Sequence, residues 1–229
     1  MRMKTLRRSA LLFFICTAAW SGSLRDLTNA DASTGLRQAL TQGANQAVSS
    51  LGRKDGFFLN KQVKIPLPPR IAKAERYMRM AGLGAQADDL VLTMNRAAEA
   101  AVPEAKPLLL DAVKSMSVED AKKILTGGDD SVTQFFKSKT AEPLMAKFLP
   151  VVQKYTANAD LAKKYNQVAG TALTLGLIKK EDADLDSYVA RSALDGVYKI
   201  IGQEEKAIRA DPARAIGDLA KKVFGALGK

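Results

Sequence analysis

The chain has 229 residues, 47% hydrophobic and 26% charged, with 35 basic against 24 acidic residues and a net charge of +11. The apolar share supports a folded core and argues against a disordered tail. One Cys and no His rule out internal disulfides, the usual structural zinc ligands, and any Ser-His-Asp or Cys-His nucleophile.

Carboxylate sites, Lys or Tyr acid-base chemistry, and carboxylate-bound Ca²⁺ or Mg²⁺ remain open. Neither glycine fingerprint for phosphate is present: Leu83-Gly84-Ala85 and Gly127-Gly128 lack the spacing. No cofactor is therefore expected.

Arg2, Lys4, Arg7 and Arg8 precede an apolar, uncharged stretch from Ser9 to Ala19, followed by Ser21, Gly22 and Ser23. A basic start, a short apolar run and small residues make the layout of a secretory signal peptide. The run is shorter than the roughly 20 apolar residues of a membrane span. Residues 1–21 are expected to be cleaved, after Ala19 or Ser21, giving a periplasmic or secreted protein. Cys16 raises lipid anchoring as the alternative, but Phe13, Phe14 and Ile15 stand where a lipoprotein signal places a small residue. Four basic residues leave with the leader, so 31 remain against 24 acids, a net of about +7.

Residues 22–30 are read as a flexible N-terminal segment and 31–229 as one helical domain. Leu36, Leu40, Ala44, Ala47 and Leu51 form a helical stripe opposite Arg37, Gln38, Gln42, Asn45 and Gln46, with Asp31 or Ser33 as the expected cap. Gly52 to Pro69 departs from helix. Asp55-Gly56 signals a turn, Val63-Lys64-Ile65 alternates at strand period, and Pro66, Pro68 and Pro69 impose an extended path. A stiff connector over the helices is expected there, with a two-stranded ribbon at most.

Ala87, Leu90, Val91, Met94, Ala97, Ala98 and Ala101 predict an amphipathic helix whose small side chains allow close packing. Pro103 and Pro107 set residues 103–116 apart as a short helix. Ser117 caps the next, which ends at Gly127-Gly128 as a left-handed stop. Asp129 is the expected cap of a helix through Phe135 and Phe136. Leu144, Phe148, Val151, Val152 and Tyr155 form a further stripe, kinked at Pro150. Leu161, Tyr165, Val168, Ala172 and Leu175 form another, ending at Gly176. Val189, Ala193, Val197, Ile200 and Ile201 follow Asp184 or Asp186. Asp211-Pro212 opens the last helix, with Ile216, Leu219, Val223, Phe224 and Leu227 on its buried face.

Two clusters stand out as candidate ligand sites. Asn95, Arg96 and Glu99 form either a polar cluster at a cleft between helices or an internal hydrogen-bond network. Asp129 and Asp130 after Gly127-Gly128 could hold a cation or simply start a helix. Glu181, Asp182, Asp184, Glu204 and Glu205 are scattered acids without the spacing of a paired-carboxylate hydrolase. Cations are spread among acids and aromatics are sparse, which argues against nucleic acid. A basic face against anionic lipid fits better.

Asn29-Ala30-Asp31-Ala32-Ser33 with Gly35-Leu36, Ile65-Pro66-Leu67-Pro68, Met94-Asn95-Arg96-Ala97-Ala98-Glu99-Ala100-Ala101, Val118-Glu119-Asp120-Ala121 and Leu125-Thr126-Gly127-Gly128-Asp129-Asp130 occur together. Tyr165-Asn166, and Ala193-Leu194-Asp195-Gly196 before Glu204-Glu205, continue the pattern. With these the chain resembles a bacterial family, domain of unknown function 4197. The resemblance implies an exported, mostly helical protein, lipid-anchored in some members, and supplies no activity or ligand.

The fold expected is an all-α, compact multi-helix bundle of about eight to ten amphipathic helices with one short Pro-rich extended segment. The function expected is that of a non-enzymatic cell-envelope protein binding a protein partner or an apolar ligand. A carboxylate-dependent hydrolase of an envelope polymer and a purely structural envelope protein are the alternatives.

Overall fold

A computed structural model describes residues 28–68, 79, 80, 82, 84–128, 130–157, 165 and 184–227. The leader, Pro69, Asp129, Glu181, Asp182 and the stripe 161–175 apart from Tyr165 lie outside the described residues.

The described chain is all-α. Its α-helices are α1 (Asn29–Leu51), α2 (Gly84–Ala101), α3 (Ala105–Lys114), α4 (Val118–Thr126), α5 (Ser131–Thr156), α6 (Leu185–Ala210) and α7 (Asp218–Leu227). Short 3-10 turns at Val102–Glu104 and Pro212–Arg214 precede α3 and α7. No strand occurs among the described residues.

α6 packs against α5, α1 and α2 together, α2 lies along α5, and α1 is covered by α7. The stripes foreseen on α1 and α2 are buried, from Leu36 to Leu51 and from Ala87 to Ala101, except Val91, which is partly buried. Small residues bring backbones together, as expected of such stripes. A Cβ on Gly35 would lie 2.6 Å from Leu219 O and 2.7 Å from Val223 Cγ2 on α7.

Several boundaries differ from the sequence reading. α1 starts at Asn29: Thr28 caps it by accepting from Asp31 N, and the Asp31 carboxylate accepts from Thr28 N. Asp31 is thus the third residue of a capping box rather than the cap. Ser117 and Asp120 form a second such box on α4. Gly127 ends α4 with an extended backbone rather than a left-handed one. Its need is room, because a Cβ would meet Lys123 O at 2.5 Å and Ser131 Cβ at 2.6 Å.

The two stripes around residues 135 and 150 belong to one helix, α5, with Pro143 and Pro150 inside it. Each proline removes one backbone bond, but Phe136, Leu144, Phe148 and Val152 are buried along a single face and hold the helix to the core. Tyr155, expected in that stripe, is exposed. At the C-terminal end, Asp211 caps only the 3-10 turn, and Gly217 turns the chain at φ 105° before α7 begins. Ile216 therefore lies outside the helix and is exposed, whereas Val223 and Phe224 are buried as expected, together with Ala215, Ala220 and Ala226.

The polar face of α1 is not wholly solvated. Gln38 Oε1 accepts from Ala220 N in the first turn of α7, and Gln42 Oε1 accepts from Ile216 N. Two carboxamides thus satisfy backbone donors at the start of α7 that its own helix cannot.

Candidate functional site

The Asn95, Arg96 and Glu99 side chains project from the middle of α2 onto the segment between α1 and α2. That segment turns through residues 53–63 and then runs through residues 64–68 without helix or strand. Val63, Ile65 and Leu67 point inward while Lys64 and Pro66 are exposed, the alternation expected of a strand. The ladder partner of a strand is replaced by one carboxamide. Asn95 Oδ1 accepts from Ile65 N at 2.9 Å, and Asn95 Nδ2 donates to Ile65 O at 2.9 Å and to Val91 O at 2.7 Å. Asn95 is fully buried, and these bonds occupy its acceptor and both donors.

One turn further on, Glu99 is buried with both oxygens engaged. Oε1 accepts from Phe57 N at 3.0 Å and Phe58 N at 3.1 Å, and Oε2 accepts from Arg96 Nη1 at 2.6 Å. The guanidinium of Arg96 also reaches Asp55 Oδ1 at 2.6 Å. The hydrogen bonds it donates to Glu99 and then to Asp55 favour the charged guanidinium and raise its pKa. Asp55 has φ 67°, a left-handed backbone uncommon outside glycine. The next residue, Gly56, has no room for a side chain, since a Cβ would lie 2.5 Å from Leu51 O.

The segment is pinned from its other side by α6. Phe57 is fully buried over Gly196, where a Cβ would sit 2.7 Å from the ring. Lys199 Nζ donates to Gln62 O at 2.8 Å, and Tyr188 Oη donates to Pro66 O at 3.2 Å. Residues 55–67 therefore form a strap across α2 and α6. The sequence reading placed a connector there but missed Asp55, Phe57, Gly196 and Lys199 as its fixtures. The buried phenylalanine facing a glycine more than a hundred residues away leaves no local signature.

Asp130 is elsewhere, exposed at the junction of α4 and α5, and accepts from Gln134 Nε2 at 3.3 Å. It precedes α5 without a capping bond from its own side chain. Asp129 lies outside the described residues. The described structure thus brings Asn95, Arg96 and Glu99 together and does not join Asp130 to them.

Other polar groups engage in the same local manner. Glu205 is buried and accepts from Arg209 Nε one turn later, and Arg209 Nη2 donates to Ile124 O at 3.0 Å. Glu204 accepts from Gln42 Nε2 at 2.9 Å. Tyr198 and Thr140 share a buried hydrogen bond of 2.9 Å, and burial raises the Tyr198 pKa. Asp184 caps α6 by accepting from Asp186 N and Ser187 N. Asp186 accepts from Thr156 Oγ1 at 2.6 Å, and its carboxyl is held above the ordinary carboxylate range, first by burial and then by the charge of Asp184. Among the described residues no group of three Asp, Glu, Cys or His side chains is arranged to hold a metal ion.

A family model described as "Protein of unknown function (DUF4197)" matches residues 26–225. No curated protein and no solved structure matches the chain.

Proposed function

We propose that this chain, which belongs to the DUF4197 family, is a non-enzymatic protein of the cell envelope that binds a protein partner through its helical surface. One observation carries the reading: the buried carboxylates and carboxamide of the described core, Asn95, Glu99 and Glu205, are spent on the chain itself. Asn95 and Glu99 satisfy backbone groups of the strap, Arg96 neutralises Glu99, and Arg209 neutralises Glu205. A general acid or base needs a group free to reach substrate, and these are occupied.

The envelope location rests on the signal-peptide layout of residues 1–23. No helix among the described residues is long and apolar enough to cross a membrane. Between the two binding versions, a partner at the surface is favoured over an apolar ligand inside. Helices meet at backbone distance at Gly35, and Phe57 fills the space over Gly196, which leaves no room for a ligand at those contacts.

The hydrolase reading has Asp186 in its favour, a carboxyl with a raised pKa beside a second carboxylate. One experiment separates the two. A photo-crosslinking residue is placed singly at Val118, Lys147 and Ile216, which are exposed on different elements, and irradiated in intact cells. The expected result is an adduct of one fixed mass from some positions only, with no cleavage of isolated envelope polymer by the purified protein. Polymer cleavage that disappears in Asp186→Asn would overturn the proposal.

A further inference from the structure

We propose that the outer edge of the strap with the two residues before it, residues 53–64, is a docking surface for an anionic phospholipid bilayer. The inference stands apart from the partner reading and rests on a different observation, the pairing of an exposed apolar tip with unneutralised cations. Leu59 is 68% exposed at the crest of the turn. Beside it Phe58 is half-buried, with Lys64 Nζ 4.4 Å from its ring centroid. Arg53, Lys54, Lys61 and Lys64 are all exposed within these twelve residues.

The segment contains a single acid, Asp55, and Arg96 neutralises it at 2.6 Å. Among the described residues no carboxylate pairs with Arg53, Lys54 or Lys61. An exposed apolar side chain with four exposed cations within six residues of it complements the outer layer of a bilayer: the side chain of Leu59 enters the headgroup boundary while the cations meet phosphates. An acidic protein surface would match the charges but leave the crest without an apolar counterpart.

The strap is also built to hold this shape. Glu99 fixes the backbone N–H groups of Phe57 and Phe58, immediately before the crest, and Lys199 fixes Gln62 O after it. The apolar tip is therefore presented at no further ordering cost, and binding is not offset by loss of loop freedom.

The test is vesicle co-sedimentation of the protein as purified from cells, with the same N-terminus in every variant so that any contribution of residues 1–27 is common to all. Vesicles of phosphatidylcholine with about one third phosphatidylglycerol are compared with phosphatidylcholine alone. The expected result is binding to the anionic vesicles only, weakened by salt. Lys54→Ser and Lys61→Ser should each lower it roughly five-fold and together roughly twenty-five-fold. Leu59→Ser should lower it about ten-fold, while Lys147→Ser with Lys154→Ser on α5 leaves it unchanged. These variants alter exposed side chains, and thermal melting checks that each remains folded. Three results would each overturn the proposal: no binding by the unaltered protein, binding indifferent to the strap variants, or retention on an acidic polypeptide without retention on vesicles.

Discussion

Asn95→Leu is the most direct probe of how the strap is held. Leucine matches asparagine in shape, so little cavity or clash accompanies the change, and the loss is electrostatic. Ile65 is buried, and among the described residues its N–H and carbonyl oxygen bond to the Asn95 carboxamide alone. Val91 O is not orphaned, since it keeps its helical bond from the backbone N–H four residues on. Two buried backbone groups left unsatisfied at about 1–3 kcal/mol each give a cost of about 2–6 kcal/mol. That is a large part of the roughly 5–15 kcal/mol that holds a domain together.

Asn95→Asp adds a titration. One oxygen still accepts from Ile65 N, but the other, when ionised, faces the carbonyl oxygens of Ile65 and Val91. Burial beside two acceptors raises the folded-state pKa above the unfolded one. The folded state then holds the proton more tightly, so stability is retained at low pH and lost as pH rises through the raised pKa. Urea unfolding followed by circular dichroism, repeated between about pH 4 and pH 7, should show Asn95→Asp approaching the parent protein in acid and falling away towards neutrality. Amide exchange at Ile65 should speed up in both variants. A cost below about 0.5 kcal/mol for Asn95→Leu, or a pH-independent difference for Asn95→Asp, would refute the account of Asn95 as a surrogate strand.

Gly196→Ala pushes a methyl to 2.7 Å from the buried Phe57 ring, and Gly35→Ala pushes one against the α7 backbone. Each should cost about 1–3 kcal/mol in denaturant unfolding, while Gly43→Ala, whose nearest neighbours are at 3.6 Å, should cost much less. Ser117→Ala removes the α4 capping box and should cost about 1 kcal/mol. The box also lowers the Asp120 pKa, first through the bond from Ser117 N, which the variant keeps, and then through the bond from Ser117 Oγ, which it loses, so the part of the stability owed to the hydroxyl is present above the ordinary carboxylate value and is lost in acid. The Ser117→Ala difference measured by thermal melting should therefore shrink at low pH. Asp186 has the opposite sign. Its raised pKa makes the ionised form a burden that grows as pH rises past the ordinary carboxylate value. Asp186→Asn should gain on the parent protein between acid and neutral pH in the same melts.

The helical stripes were the most legible part of the fold because burial follows a periodicity that only neighbouring residues set. Ala87 to Ala101 and Leu36 to Leu51 are buried as their spacing implied. Boundaries set by tertiary contact were harder. Nothing local announces that α5 would continue through Pro143 and Pro150, because the compensation comes from packing its far end into the core. Ile216 was misplaced because the last helix begins only at Asp218, after the turn at Gly217, which leaves Ile216 outside the helix while Val223 and Phe224 are buried as expected. At the candidate site, the types of Asn95, Arg96 and Glu99 and their clustering on one helix were visible, but their partners were not. Those partners are mostly backbone atoms of residues 57–65, and a backbone N–H carries no sequence signal.

The joining of α1 to α7 has a consequence for the order in which the chain can become whole. Gln38 on α1 accepts from a backbone donor 182 residues further along, and the face of α1 around Gly35 is covered by that same distant helix. During synthesis α1 emerges early and must wait for residues 218–227 before that face is shielded from water. Until then Leu36 and its neighbours are a hydrophobic handle open to any chaperone that recognises extended apolar chain. A protein closed by its final described helix keeps this face open until residues 218–227 have been made.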